Sequence, residues 1–394
     1  MKIAINGAGI AGPCLAWWLA GHGHEPVLIE KAPAPRSGGY IIDFWGLGYD
    51  IAERMGLIPA ILERGYQVGE VRFVDSQGRA NGGFATDVFT RMTDGRFTSL
   101  RRSDLAGVLL DAANDRAETL FGDSVAALED DGGRVGVTFE HAAPREFDLV
   151  VGCDGLHSKV RELAFGPEKR FEADLGYRVA AFEVEGYRPR DELVYVSYTR
   201  PGRQISRFSM RDDCTLFLFV FRTDVSPGPF PETDEGQKAV LREVFAGAGW
   251  ETEAILDLLD GADLYFDRVS QIRMDHWTKG RVALAGDAAA CVSLLAGEGT
   301  GLAIAEAYVL AGEFARASSD HEAAFSAYEE RLMPFLQSKQ KSARRFASSF
   351  APKSELGISI RNLATKLARV PLFADWLIGG DLRDDIRLPD YANR

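Results

Sequence analysis

The sequence predicts an α/β protein in which a discontinuous parallel-sheet unit carries an inserted antiparallel sheet and ends in C-terminal helices. Three observations predict it. A glycine-rich hexapeptide, Gly7-Ala8-Gly9-Ile10-Ala11-Gly12, joins a short apolar run to a helix-compatible one. Buried-strand signals that end in an acidic turn return twice downstream, at 147–155 and 280–287. Between those returns lie segments rich in Val, Tyr, Phe and Thr, punctuated by turns, which in an α/β chain marks a separate sheet.

Taken in order, residues 2–6 (KIAIN) read as a buried strand, Pro13 to Gly21 as a helix and 27–31 (VLIEK) as the next strand, a β-turn-α-β unit. Apolar residues at helical spacing over 101–114 predict a helix with Ser103 as its N-cap. Strands at 134–140 and 147–155 resume the first unit. The segments 177–184, 193–199, 204–210 and 215–222 read as antiparallel strands, with Arg200-Pro201-Gly202 and Asp212-Asp213 as turns between them. A polar helical stretch, 233–260, leads to a strand at 264–274 and then to GRVALAGD, a buried strand of the first unit. From Leu302 to about Gln340 the pattern is helical, and 358–380 is a further amphipathic segment.

Composition narrows the function classes. With 394 residues, 46% hydrophobic and 26% charged, the chain is an ordinary globular protein of two or three units. A net charge of −13 disfavours nucleic acid and anionic membranes as partners. Cys14, Cys153, Cys214 and Cys291 are widely spaced and read as reduced core thiols, and the six histidines show no metal-ligand spacing. The N-terminal apolar stretch is broken by Asn6 and four glycines, so a signal peptide is not expected. Neither is stable membrane insertion, and a cytoplasmic location is the default expectation. Oligomeric state is not readable.

The glycine hexapeptide follows a strand and opens a helix, and Glu30 closes the next strand, the Rossmann-like arrangement for a dinucleotide. Its glycines allow a tight turn and bring a pyrophosphate close to a helix N-terminus, while Glu30 can accept hydrogen bonds from a ribose. Gly152-Cys153-Asp154-Gly155 and Gly286-Asp287 each put an Asp at a strand's C-terminal end, where ligands bind in open α/β sheets.

In this order and spacing these segments resemble the group A FAD-dependent aromatic hydroxylases of the para-hydroxybenzoate hydroxylase fold, and among them the tetracycline destructases. The resemblance spans nearly the whole chain, through the N-terminal fingerprint, VLIEKAPAPRSGGYIID, RRSDL, DLVVGCDGLHSKVR and WTKGRVALAGDAAACVSLLAGEGTGLAIAEAYVLAGE, with a weaker match at RLPDY. It implies a FAD-binding domain from 1–70, 100–170 and 271–340, a substrate domain from 71–99 and 171–270, and a C-terminal helical segment, 341–394. It implies that Gly7, Gly9 and Gly12, with Ile10 and Ala11, hold the pyrophosphate, and that Glu30, Lys31 and Val125 surround the adenosine end. Arg102 would contact the diphosphate or ribityl region, as would Gly286-Asp287. Gly297, Gly299, Thr300, Gly301 and Leu302 would meet the flavin ring's N1–C2=O edge, and a helix N-terminus there would stabilise the charge of reduced flavin. Asp154 and Gly155 would set a turn beside the FAD. Arg36 matches a position linked with nicotinamide; a solvated loop arginine is its alternative.

The implied activity is a monooxygenase that uses NADPH or NADH and O2 to hydroxylate an aromatic or enolic small molecule, such as a tetracycline-like compound or an aromatic polyketide. Alternatives are a flavin-dependent reductase or dehydrogenase without oxygen insertion, or a non-catalytic FAD- or ligand-binding protein. No catalytic triad is expected, because the cofactor does the chemistry while the protein orients substrate and excludes water. This chain departs from its relatives at Ala290, Val292 and Leu294, where a histidine and prolines are usual, and at Glu298 and Gly301. Substrate contacts are expected from the inserted sheet: Tyr195, Ser197 and Thr199 share one strand face, Phe217, Phe219 and Phe221 another, and Arg203, Arg207 and Arg211 are candidate anion partners. Tyr195, Arg203, Arg211, Phe219 and Leu294 head that pool. The segment bearing Val370, Phe373, Trp376 and Leu377 is a candidate lid or a surface helix.

Overall fold

The computed structural model describes residues 1–35, 40–367, 384 and 386–391. Arg36 and the candidate lid residues Val370, Phe373, Trp376 and Leu377 lie outside the described residues.

A six-stranded sheet forms from Thr278–Lys279, Val282–Leu284, Leu149–Gly152, Lys2–Asn6, Glu25–Glu30 and Glu118–Phe121, in that spatial order. All its pairs are parallel except the outermost one, Thr278–Lys279 with Val282–Leu284. The central strand reads KIAIN because both faces are covered: Ile3, Ala4 and Ile5 have no exposed surface. A small antiparallel sheet, Val125–Asp130, Val135–Phe139 and Arg145–Phe147, stands beside it.

The inserted sheet has seven strands, ordered Tyr265–Ile272, Glu172–Glu185, Cys214–Arg222, Arg203–Ser209, Val194–Arg200, Glu70–Val74 and Ala80–Ala85. One of its pairs, Val194–Arg200 with Glu70–Val74, is parallel, so the sheet is mixed rather than wholly antiparallel. Alternation gives it two different faces. Phe182, Phe217, Phe219 and Phe221 form one apolar layer with Leu241 and Phe245 of the helix Asp234–Phe245. Tyr195, Phe208, Leu216 and Leu218 point the opposite way, toward Tyr40 and Ile41.

The helix of RRSDL runs from Arg102 to Asn114, but Arg101, not Ser103, is its N-cap, and no side chain caps it. The strand Ile41–Phe44 pairs with Thr98–Arg101, and these short strands link the two large sheets. The long helix Gly299–Arg316 packs on Ala11–Gly21, on the helix Gly46–Arg54 and on the long helix His321–Phe350, and Glu355–Leu367 follows, lying against Ala80–Ala85. Among the described residues no helix is long and apolar enough to cross a membrane, and no cluster of His, Cys, Asp or Glu is arranged to hold a metal ion.

Candidate active site

The glycine turn has little freedom. A Cβ at Gly12 would sit 1.9 Å from the Gly7 carbonyl oxygen, and one at Gly7, whose φ is +107°, would sit 2.4 Å from the Cys153 carbonyl oxygen. Gly9 meets no such obstacle: its Cβ direction points at the Arg102 guanidinium, 3.6 Å away. A cation thus stands across a side-chain-free turn from the N-terminus of the helix Ala11–Gly21, which has neither a side-chain cap nor an acid in its first turn. That arrangement suits a phosphate and fits the dinucleotide that the resemblance implies.

Glu30 ends its strand beside this turn, accepting hydrogen bonds from the Ala8 N–H and the Ala32 N–H at 2.9 Å each. Lys31 is exposed next to it, whereas Val125 is fully buried and gives its N–H to Asn6 Oδ1 at 3.4 Å. Val125 is therefore a wall of the core with no side-chain surface to offer. Asp154 accepts from Asn6 Nδ2, Ser158 Oγ and the amides of Lys159 and Val160, fastening the first strand to the helix Lys159–Phe165. It shapes the turn, and Gly155, with φ of +82°, completes it. The same DGLHSKVR stretch supplies Arg161, fully buried, which donates to the Ala288 carbonyl at 3.0 Å and so braces the turn carrying Gly286 and Asp287.

Asp287 opens a one-turn helix, Asp287–Ala290. Burial raises its pKa, while the charge of Arg102 and the Cys291 thiol pull it back. Gly297 is left-handed and leads into the helix Gly299–Arg316, whose first turn, with Thr300, Gly301 and Leu302, has no acid and no side-chain cap. Gly301 fits against Gly48, where a Cβ would meet the Gly301 Cα at 2.5 Å. Two glycines thereby bring the helices Gly46–Arg54 and Gly299–Arg316 together at the cleft.

The carboxylate of Glu298 is paired with a cation that it shares. Lys339 Nζ lies 3.0 Å from it and 3.1 Å from Asp384, which in turn accepts the Leu47 N–H at 2.9 Å. Glu298, Asp384, Asp43, Trp45, Leu47, Gly48, Gly297, Gly301 and Leu302 line one small cavity at this end of the cleft. Sequence reading gave no signal for Lys339, because nothing in a helix pattern announces a partner some forty residues away in one direction and on the glycine loop in the other.

Across the cleft stands the inserted sheet. Tyr40 and Tyr265 lie 5.8 Å apart between ring centroids, and the charge of Arg102 acts on both phenols. Leu294, Leu218 and Tyr265 pack against one apolar cluster that includes Val179, Val220, Val269 and Leu295, an apolar wall drawn from both halves. Tyr195 faces the cleft, Ser197 is paired with Ser206, and Thr199 is held by Arg361 of the helix Glu355–Leu367 at 3.0 Å.

Three members of the expected substrate pool are elsewhere. Phe219 is fully buried on the far face against Phe182 and Phe245, because strand parity places Leu218 and not Phe219 toward the cleft. Arg203 shares that far face and donates to the Val244 carbonyl. Arg211 lies over Tyr66 and donates to the carbonyls of Arg64 and Gly65, closing the end of the helix Ile58–Arg64. Arg207 is likewise turned away, bound to Asp191 and Glu251.

His157 links the two halves: one ring nitrogen is 3.0 Å from Glu168 and the other 3.3 Å from Asp267 of the inserted sheet. Hydrogen bonds to Asp267 and Glu168 push its pKa up to about 10. The four cysteines are free and buried, and desolvation raises every thiol, Cys214 to about 11 and the others further.

Comparison with known proteins agrees with this geometry. A family model described as FAD binding domain matches residues 1–340. An uncharacterized protein of Mycobacterium tuberculosis is 38% identical over 343 residues, 86% of this chain and 91% of that protein. A flavin-dependent monooxygenase from an unknown prokaryotic organism is 34% identical over 348 residues, 86% of this chain and 87% of that protein. The crystal structure of the tetracycline destructase Tet(55) superposes with a TM-score of 0.84 at 31% identity, covering 99% of this chain and 98% of that one.

Proposed function

Because the chain belongs to the FAD-dependent monooxygenases, within the FAD-binding domain family, we propose that it uses NADPH or NADH and O2 to hydroxylate an aromatic or enolic small molecule, with tetracycline-like compounds and aromatic polyketides as the leading class. The observation that carries this reading is the facing of two unlike surfaces across one cleft. On one side are the phosphate-ready turn, Arg102, Asp287 and the glycine loop; on the other is a sheet face that presents the partly buried Tyr195 and Leu218 over a buried layer of Phe208 and Leu216.

In this reading Gly7, Gly9, Gly12 and Arg102 hold the FAD pyrophosphate, Glu30 the adenosine ribose and Asp287 the ribityl chain. Gly297 to Leu302 present backbone N–H groups to the ring. Bound FAD, once reduced, activates oxygen for transfer to an electron-rich carbon. The protein's own share is positional. The uncapped helix N-terminus at Gly299 favours negative charge beside it, and Lys339, shared with Asp384, offsets part of the Glu298 charge that would oppose it. Leu294, Leu218 and Tyr265 exclude water and hold a flat ring. Resemblance to a destructase supports the substrate class without naming the compound.

The test is oxidation of NADPH and NADH by FAD-loaded protein with a panel of tetracyclines and smaller phenols under 18O2, with products weighed by mass spectrometry. A compound that accelerates cofactor oxidation and gains one labelled oxygen is the expected result. Oxidation that yields only peroxide would point to an oxidase-like or uncoupled flavoprotein, and a reduced product without oxygen would replace this reading with a reductase.

A further inference from the structure

A second cavity, of about 430 Å³, opens on the other face of the inserted sheet, away from the cleft. Register sets its floor: Arg72, Val196 and Arg207 are partners in one row across the strands Glu70–Val74, Val194–Arg200 and Arg203–Ser209. Val196 belongs to the phenylalanine layer, whereas its neighbour Tyr195 faces the cleft, so the thickness of one strand separates the two places. The turn 76–78, Pro189 with Asp191, and Trp250 with Glu251 form the walls. Trp250 has a left-handed backbone, with φ of 53°, uncommon for a bulky residue, and its N–H donates to the Ser76 carbonyl at 2.7 Å, which ties two walls together. The charges largely cancel. Asp191 is clamped by both arginines, 2.9 Å from Arg72 and 2.7 Å from Arg207, and Arg72 is further paired with Glu70 at 2.7 Å. Glu251 accepts two hydrogen bonds from Arg207, at 2.8 and 3.2 Å, and one from Tyr187 Oη at 2.9 Å. One donor is left over. Arg207 is 3% exposed, its guanidinium carbon stands 5.8 Å from the Trp250 ring, and its buried Nη1 has no partner among the described residues. Leaving a buried guanidinium nitrogen without an acceptor is costly, so an oxygen brought to it from outside the fold is favoured.

We propose that this cavity is a second small-molecule site, which takes an uncharged flat ring bearing a carbonyl group, such as a lactam or other cyclic amide. Its volume falls within the range of about 300–1,000 Å³ usual for such sites. The carbonyl oxygen accepts from Arg207 Nη1, a charge-assisted bond, while the ring rests against Trp250, Val74, Val196 and Pro189. An anionic ring would meet Asp191 and Glu251 with both arginines already paired, and a cationic ring would find both carboxylates engaged. A neutral acceptor alone matches what the lining leaves open. The inference is independent of the proposed function, because no residue of this cavity belongs to the cleft.

The experiment follows FAD-loaded protein labelled with 5-fluorotryptophan by 19F NMR. Among the six tryptophan resonances, those of Trp250 and Trp45 are identified by their loss in Trp250→Phe and Trp45→Phe. The probes are neutral 2-quinolone, anionic 2-naphthoate and cationic 1-methylquinolinium. 2-Quinolone is expected to shift the Trp250 resonance saturably and to bind at least about tenfold more tightly than either ion, read from the same resonance. Arg207→Lys, which keeps a cation for Asp191 and Glu251 but removes Nη1, should weaken 2-quinolone by about tenfold with FAD content per chain unchanged. A Trp250 resonance unmoved by millimolar 2-quinolone, an ion that binds as tightly as the lactam, or an affinity unchanged in Arg207→Lys would each overturn the inference. So would movement of Trp45 alone, since Trp45 lines the cavity beside the glycine loop. The wild-type comparison of the three probes decides even if the variant does not fold. Oxygenation of a compound in the cleft, or its failure, bears on the proposed function alone.

Discussion

The two large sheets meet at one cleft but specify their halves of it by different means. The parallel sheet offers backbone: a turn without side chains at Gly7, Gly9 and Gly12, an uncapped helix end, and a second glycine loop at Gly297 to Gly301. The inserted sheet offers side chains, and which ones depends on parity alone. A shift of one residue along Cys214–Arg222 exchanges Leu216, Leu218 and Val220 for Phe217, Phe219 and Phe221. A site made of backbone tolerates almost no local change, whereas a site made of alternate side chains can be rewritten without disturbing the fold.

The largest effect should fall on the backbone half. Gly12→Ala forces its methyl against the Gly7 carbonyl at 1.9 Å, and purified protein should carry less than about a tenth of the wild-type FAD, read from its visible absorbance. Retention of full FAD would break the contrast at its strongest point. Next come the two faces of the inserted sheet. Phe219→Ala should lower stability by about 3–5 kcal/mol in denaturant unfolding while leaving ligand affinity of the folded protein unchanged. Leu218→Ala should shift ligand affinity instead. The reverse pattern would show that the cleft lies on the phenylalanine face.

Lys339→Met should weaken FAD binding by about tenfold, because Glu298 and Asp384 lose the cation they share beside the glycine loop. Flavin release on dilution measures it. The smallest effect belongs to His157, half-exposed between the two sheets. Its pKa is raised from 6.5 to about 10 in the folded protein, so its contribution is full below pH 6.5 and fades as pH rises toward 10. Wild-type protein should therefore lose slightly more thermal stability between pH 7 and pH 9.5 than His157→Gln does, by less than about 1 kcal/mol given the solvent around it.

This contrast also explains what could be read from the sequence. The nucleotide half was legible because glycine spacing and strand-ending acids constrain backbone directly, and Gly7 to Gly12, Glu30, Asp154 and Gly286-Asp287 stand at one end of one sheet. The four inserted strands were legible from composition, although the parallel pairing of Val194–Arg200 with Glu70–Val74 was not, since nothing local encodes it. Parity could be counted but not oriented: Phe219 looked like a substrate contact because an aromatic stripe suits a ligand and a core equally well. Lys339 was not legible, because its value arises only where a helix passes a loop.

The buried thiols have a consequence for the working life of such a protein. Reduction of oxygen that misses its target releases hydrogen peroxide, and peroxide attacks thiolates far faster than thiols. Cys14, Cys153, Cys214 and Cys291 are all buried with pKa values well above neutrality, so at physiological pH none presents a thiolate. Burial of these four cysteines therefore slows their oxidation by escaped peroxide.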